Sequence, residues 1–199
     1  IDLDLRGGRD REALERVEEL TLLLVKSPRD QAEILCRKGE ALYALGELDR
    51  AADVFAETMK FDDKNPRCLR GLGFLAWQGH SHEEALMFFR RAHAIKDDDP
   101  ETMLGIGLVY RRLGLKEEAV FWLEKCIEHD SYPPTAIMAL AQTCAQTSRA
   151  EFGIRVLERA LETVGDHKML MMTLGQLYLN EGQTEAGHEL LRRAMAEPA

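Results

Sequence analysis

The sequence predicts an all-α protein, an α-solenoid built from helix pairs. Three observations predict it. Glycines recur at Gly39, Gly73, Gly107 and Gly175, spaced 34, 34 and 68 residues apart. The position this series skips is filled by another small residue, Ala141. Helix punctuation recurs at the same period: Asn65-Pro66 and Asp99-Pro100 each put a capping side chain before a proline at the first helical position. A fixed period of this length is the mark of a repeat architecture, in which each unit buries its apolar face only against its neighbours.

Five units follow from this phase: 32–65, 66–99, 100–133, 134–167 and 168–199, preceded by an N-terminal segment 1–31. Position 11 of the unit reads Leu42, Ala76, Tyr110, Cys144 and Tyr178. Position 20 reads Ala51, Ala85, Ala119, Gly153 and Gly187. Position 24 reads Phe55, Phe89, Leu123, Leu157 and Leu191, and position 27 reads Thr58, Ala92, Cys126, Ala160 and Ala194. Small residues at 8 and 20 let two helices approach closely, and large ones at 11 and 24 fill the space beside that contact. Gly46, Gly114 and Gly182 are placed in the turns inside the pairs. The second unit has Gly79 one place early, and Ser81-His82-Glu83-Glu84 reads as a capping box. Gly187 is expected to weaken the last helix by about 1 kcal/mol relative to alanine.

Residues 10–26 read as a further amphipathic helix, with Leu14, Val17, Thr21 and Leu24 on one face. Ahead of it, Ile1-Asp2-Leu3-Asp4-Leu5 alternates apolar and acidic residues, as an extended segment does. The chain begins at Ile1 rather than Met, so an upstream segment is expected. No solvating helix follows the fifth pair, so a continuation or a partner is expected to cover Leu190, Leu191 and Met195.

The net charge of -9 over 199 residues disfavours nucleic acid, whose binding needs phosphate neutralisation. The densest apolar run, Leu20 to Val25, is far below the roughly 20 residues of a membrane span, so no membrane insertion is expected. Cys36, Cys68, Cys126 and Cys144 form no C-x-x-C pair and read as small buried thiols. They favour a reducing compartment, and the expected localisation is cytoplasmic. His80-Ser81-His82 and Asp97-Asp98-Asp99 lack the spacing of zinc or calcium sites and read as turn residues. No phosphate loop or nucleophile elbow appears, so the chain is not expected to be an enzyme, and no cofactor is expected.

Small residues at positions 8, 20 and 27 with large ones at 11 and 24, phased over residues 32–199, resemble the tetratricopeptide repeat. The resemblance implies a right-handed solenoid whose first helices line a concave groove that holds a peptide. Carried over residue by residue, the groove takes Cys36 and Glu40 from the first unit and Arg67, Arg70, Phe74 and Trp77 from the second. It takes Leu104, Leu108, Arg111 and Arg112 from the third, Met138 and Gln142 from the fourth, and Met172 from the fifth. Arginines among aromatic and apolar side chains are common interface anchors. The expected partner is a protein or peptide segment carrying large apolar residues with acidic ones between them. A blander alternative leaves Arg111 and Arg112 solvated, or pairs them with Glu101 and neighbouring acids, and tucks Trp77 partly between helices. The carboxylate clamp that reads heat-shock chaperone tails is not expected: its basic and asparagine positions hold Cys36, Glu40, Gly71, Glu101 and Gly105.

The resemblance implies a peptide-binding adaptor or a secretion or assembly chaperone, similar to bacterial members of the family. Two alternatives stand beside it. One is a self-assembling scaffold, a homo-oligomer in which Ile1–Leu5 docks into the next groove. The other is a regulatory module of a larger protein.

Overall fold

The computed structural model describes residues 27–195, and these hold ten helices and no strand. The expectations for residues 1–26, the extended segment and the amphipathic helix, lie outside the described residues. The helices are α1 (Pro28–Ala44), α2 (Leu48–Phe61), α3 (Pro66–Gln78), α4 (His82–Ile95), α5 (Pro100–Arg112), α6 (Lys116–Ile127), α7 (Pro134–Cys144), α8 (Ala150–Val164), α9 (Lys168–Asn180) and α10 (Thr184–Met195). The chain divides into two compact units, one ending at Val109 and the other starting at Tyr110. That division falls inside α5, not at a repeat boundary.

Helix starts follow side-chain chemistry. Asn65 is buried, and its Oδ1 accepts from the backbone N–H groups of Arg67 and Cys68, both at 3.1 Å. Asp99 accepts from the Thr102 N–H at 3.2 Å. Both caps fall where the sequence places them. Ser27 caps α1 by accepting from the Asp30 N–H, with Pro28 next to it. The boundary drawn at residues 31 and 32 therefore cuts an intact helix, because Ser27-Pro28 starts it one turn earlier.

The capping box at Ser81 does not form. Ser81 holds the N-cap position of α4, but its side chain makes no capping bond. Its ψ of 72° is away from the extended geometry a serine cap needs. The preceding residue explains the turn. Gly46, Gly114 and Gly182 adopt φ near 78°, and the equivalent place in the second repeat is His80, at φ 61°. The glycine one place early, Gly79, keeps φ -75° and gives no such freedom.

In the first unit α1 packs on α2, α3 on α4, and α3 also on α1 and α2. The contact that sets these distances is a ring between glycines. A Cβ at Gly39 on α1 would lie 2.6 Å from the Phe55 ring, and one at Gly71 on α3 would lie 2.3 Å from it. Phe55, from α2, is thus held between two helix backbones and is fully buried. The arrangement repeats one step on. Phe89 of α4 sits against Gly73 of α3 and Gly105 of α5, where added Cβ atoms would lie at 2.7 and 2.5 Å.

In the second unit α7 packs on α8, α9 on α10, and α8 on α9. Leucine replaces phenylalanine in its core, which gathers Ile137, Ala141, Leu157, Leu174 and Leu177. Gly153 brings α8 close to the α7 backbone at Ala141. Gly187 does the same for α10 on α9: a Cβ there would lie 2.9 Å from the Gly175 carbonyl and 2.7 Å from Leu179. Its helix-propensity cost is therefore the condition of a close helix contact. The four cysteines are free and buried, as expected. Burial pushes the Cys68 thiol up to about 12 and the Cys144 thiol up to about 11.

A network of ion pairs ties the first helices of the first unit together. Arg67 reaches Glu40 through Nε and Nη2, and Glu33 through Nη1 at 3.0 Å. Arg70 donates through Nη1 to both Asp99 oxygens, at 3.0 and 2.9 Å, and through Nη2 to Glu40 at 2.8 Å. Its Nε lies 3.4 Å from Glu101. Glu40 comes from α1, the arginines from α3 and the last two carboxylates from the start of α5. Arg70 and Asp99 are only 13% and 14% exposed, so these pairs are poorly screened by solvent. Burial alone would raise the Asp99 carboxyl, but Arg70 and the bonds from Thr102 hold it below the ordinary carboxylate range.

Three expectations follow from this packing. Gly71→Ala and Gly105→Ala should each destabilise by about 1–3 kcal/mol in urea unfolding, although alanine is the better helix former. Adding Phe55→Leu should recover part of the Gly71→Ala loss. His80→Gly should stabilise by about 1 kcal/mol, because it relieves a left-handed residue that carries a Cβ. Asp99→Asn should cost about 2 kcal/mol at pH 7. A depressed folded pKa gives stability that is present above the unfolded value near 4 and lost as pH falls through the folded one. The gap between wild type and Asp99→Asn should therefore narrow below about pH 4; a gap that widened there would reject the assignment.

Candidate functional site

The residues expected to bind a peptide fall in both units, and each unit presents its own face. In the first unit the arginines are already engaged. Arg67 is half-buried and Arg70 largely buried, and both are committed to Glu33, Glu40, Asp99 and Glu101. Glu101 pairs with Arg70 and not with Arg111 or Arg112. Leu104 is 6% exposed and Cys36 fully buried, so both belong to the core, not to a surface. On a helix packed from two sides, the stripe facing the neighbouring pair is covered as well.

What remains on that face is aromatic and apolar. Phe74 is half-buried, edge-on to Phe89 at 4.9 Å and tilted against Tyr43 at 6.2 Å. Trp77 is half-buried. Its indole N–H is shielded from solvent and has no hydrogen-bond partner among the described residues. Leu108 is half-buried. The face offers ring edges and apolar surface, and Arg67 and Arg70 of the same helix are neutralised by carboxylates.

The second unit differs. Arg111 is half-buried and Arg112 exposed, side by side at the end of α5. Neither pairs with a carboxylate among the described residues. Arg111 donates from Nη1 to the Gln142 Oε1 of α7 at 3.1 Å, a neutral acceptor. Burial, with the Arg112 charge beside it, draws the Arg111 pKa below its ordinary value. Lys116, at the start of α6, adds a third cation and donates to the Gln146 carbonyl at 3.3 Å. Sequence reasoning missed Lys116, which lies four residues after Arg112, across the turn between α5 and α6. Met138 is half-buried against the core, while Met172 is 38% and Met169 49% exposed.

The geometry brings Arg111 and Gln142 into contact and leaves Arg111 and Arg112 without a carboxylate partner among the described residues. Partial withdrawal of a guanidinium from water without a carboxylate partner carries a desolvation cost that an incoming anion would offset. No group of three His, Cys, Asp or Glu side chains among the described residues is placed to hold a metal ion. Among those residues, too, no helix is long and apolar enough to cross a membrane.

Comparison with known proteins places this architecture. Tetratricopeptide-repeat models match residues 2–66, 36–100 and 100–131. No curated protein matches the chain at a significant level. Among solved structures, MamA is 16% identical, with 79% of this chain and 92% of that one covered at a TM-score of 0.68. PilF of Pseudomonas aeruginosa is 13% identical, with 86% and 79% covered at 0.74. YrrB, described as a tetratricopeptide-repeat protein with an unusual peptide-binding site, is 17% identical, with 84% and 86% covered at 0.66. At these identities the likeness is one of fold. The 34-residue phase, the hairpins clamped at their glycines and the matches over residues 2–131 lead to one assignment: the chain belongs to the tetratricopeptide-repeat family.

Proposed function

We propose that this protein is an adaptor that holds a segment of another protein on the first-helix faces of its repeats, with an acidic residue of that segment seated at Arg111 and Arg112. Membership of the family makes it a protein–protein interaction module. The observation that carries the finer reading is Arg111: half-buried, flanked by a second arginine, and bonded among the described residues to a neutral glutamine alone. A carboxylate from a partner can accept from such a guanidinium in a bidentate pair and remove the repulsion between the two arginines. The exposed Met169 and Met172 suit large apolar side chains, because methionine adapts its shape. Taken by itself, the first unit has an aromatic and apolar face of its own in Phe74, Trp77 and Leu108. Arg67 and Arg70 hold the helices rather than the ligand. The peptide-binding description of YrrB supports this reading by analogy of fold.

The adaptor role is tested by pull-down from native lysate with quantitative mass spectrometry. Wild type is compared with Arg111→Glu/Arg112→Glu and with a control, Arg155→Glu, at an exposed position of α8. Reversal of a desolvated charge contact costs roughly 2–5 kcal/mol. Proteins held by wild type and by Arg155→Glu should therefore fall at least tenfold with the double variant, whose circular dichroism should stay unchanged. Equal recovery by all three baits would reject the site.

A further inference from the structure

We propose that the second unit carries a separate site, on another face of α9 from Met169 and Met172, that takes an arginine or lysine side chain of a partner protein. The site is an open cleft of about 600 Å³ between α8, α9 and α10. Its floor is apolar and consists of Leu161, Met171, Leu174 and Leu190. Its rim is acidic: Glu158, Glu162 and Asp166 stand against one cation, Arg193.

Arg193 is already engaged, with Nη2 2.6 Å from the Asp166 Oδ1. Glu158 and Glu162 are left without a cation among the described residues. They are four residues apart on α8, so they share a face and repel each other. Glu158 is also fixed in place, because it accepts from the Tyr178 hydroxyl. Burial first, and then that bond, push the hydroxyl up to about 12, so Tyr178 stays a donor at neutral pH. The cleft therefore holds an oriented carboxylate, a second one beside it and an apolar floor below.

A long basic side chain matches both parts. Its aliphatic stem covers apolar surface while its charged head stays with the carboxylates at the rim. A guanidinium can bridge two carboxylates, which ends their mutual repulsion. An acidic side chain would add to the repulsion, and a neutral one would leave it in place. This charge complementarity sets the cleft apart from the cationic Arg111 cluster of the same unit.

The test uses the full chain with isotope-labelled methyl groups, titrated with acetyl-Leu-Arg-Leu-amide and with the neutral citrulline counterpart. The arginine peptide should shift the Met171 and Leu174 methyl signals saturably, and the citrulline peptide should bind at least tenfold more weakly. Glu158→Gln/Glu162→Gln should abolish that preference. The same double variant should melt no lower than wild type, since it removes a like-charge pair, so the loss of binding will not reflect unfolding. Arg111→Glu should leave the titration unchanged, which separates this site from the proposed adaptor face. Equal binding of the two peptides, survival of the arginine preference in the double glutamine variant, a lowered melting temperature of that variant, or no saturable shift would each overturn the proposal.

Discussion

An aromatic ring held between two glycines fixes the geometry on which the first unit depends. Phe55 is inserted from α2 between Gly39 and Gly71, and Phe89 from α4 between Gly73 and Gly105. A ring can sit flat against two backbones only if neither carries a Cβ, so the residue types are set jointly. Packed interiors resist both voids and excess volume, and each ring therefore sets the spacing of two first helices at once. Everything displayed by those helices inherits that spacing, including the pairs that join Glu40, Arg70 and Asp99.

The ion pairs act at a second level. Arg70 and Asp99 are mostly withdrawn from solvent, and such pairs stabilise only when geometry and further hydrogen bonds are good. Here Arg70 meets three carboxylates, and Asp99 also caps its helix through the Thr102 N–H. The same carboxylate serves as a cap and as a counter-ion, so the start of α5 is tied to α3. In the second unit leucine packing and the close approaches at Gly153 and Gly187 take over the work of the rings.

Most of the fold was legible in the sequence. The 34-residue phase gave the helix pairs, and the proline-preceding caps at Asn65 and Asp99 gave helix starts. What escaped was of two kinds. One was a register carried by an unexpected residue. His80 takes the left-handed turn position because the glycine stands one place away, and local chemistry alone does not tell which of the two bends. The other was contact between residues far apart in sequence. The partner of each ring had a readable signal: Phe55 and Phe89 are followed sixteen residues later by Gly71 and Gly105, whereas Leu123 and Leu157 are followed by Ala139 and Thr173. Large goes with glycine, and smaller goes with a side chain. The pairing of Arg67 with Glu33, a full repeat away, was not readable, because residues that share a face still have several possible partners.

That last failure bears on how a repeat surface is read. Family positions place Arg67, Arg70, Arg111 and Arg112 together as candidate ligand contacts, and by residue type they are alike. Their surroundings separate them. Arg70 has its counter-charges within the fold, so an incoming acid would have to displace carboxylates already at hydrogen-bonding distance. Among the described residues Arg111 has a neutral amide and a like charge for neighbours, so an incoming acid displaces no carboxylate of theirs. The free energy available to a ligand is the difference between these states, not the charge itself. The same reasoning, with signs reversed, distinguishes Glu40, which is paired twice, from Glu158 and Glu162, which meet no cation among the described residues. On a scaffold whose backbone geometry repeats, specificity lies in the charges the fold has left uncompensated.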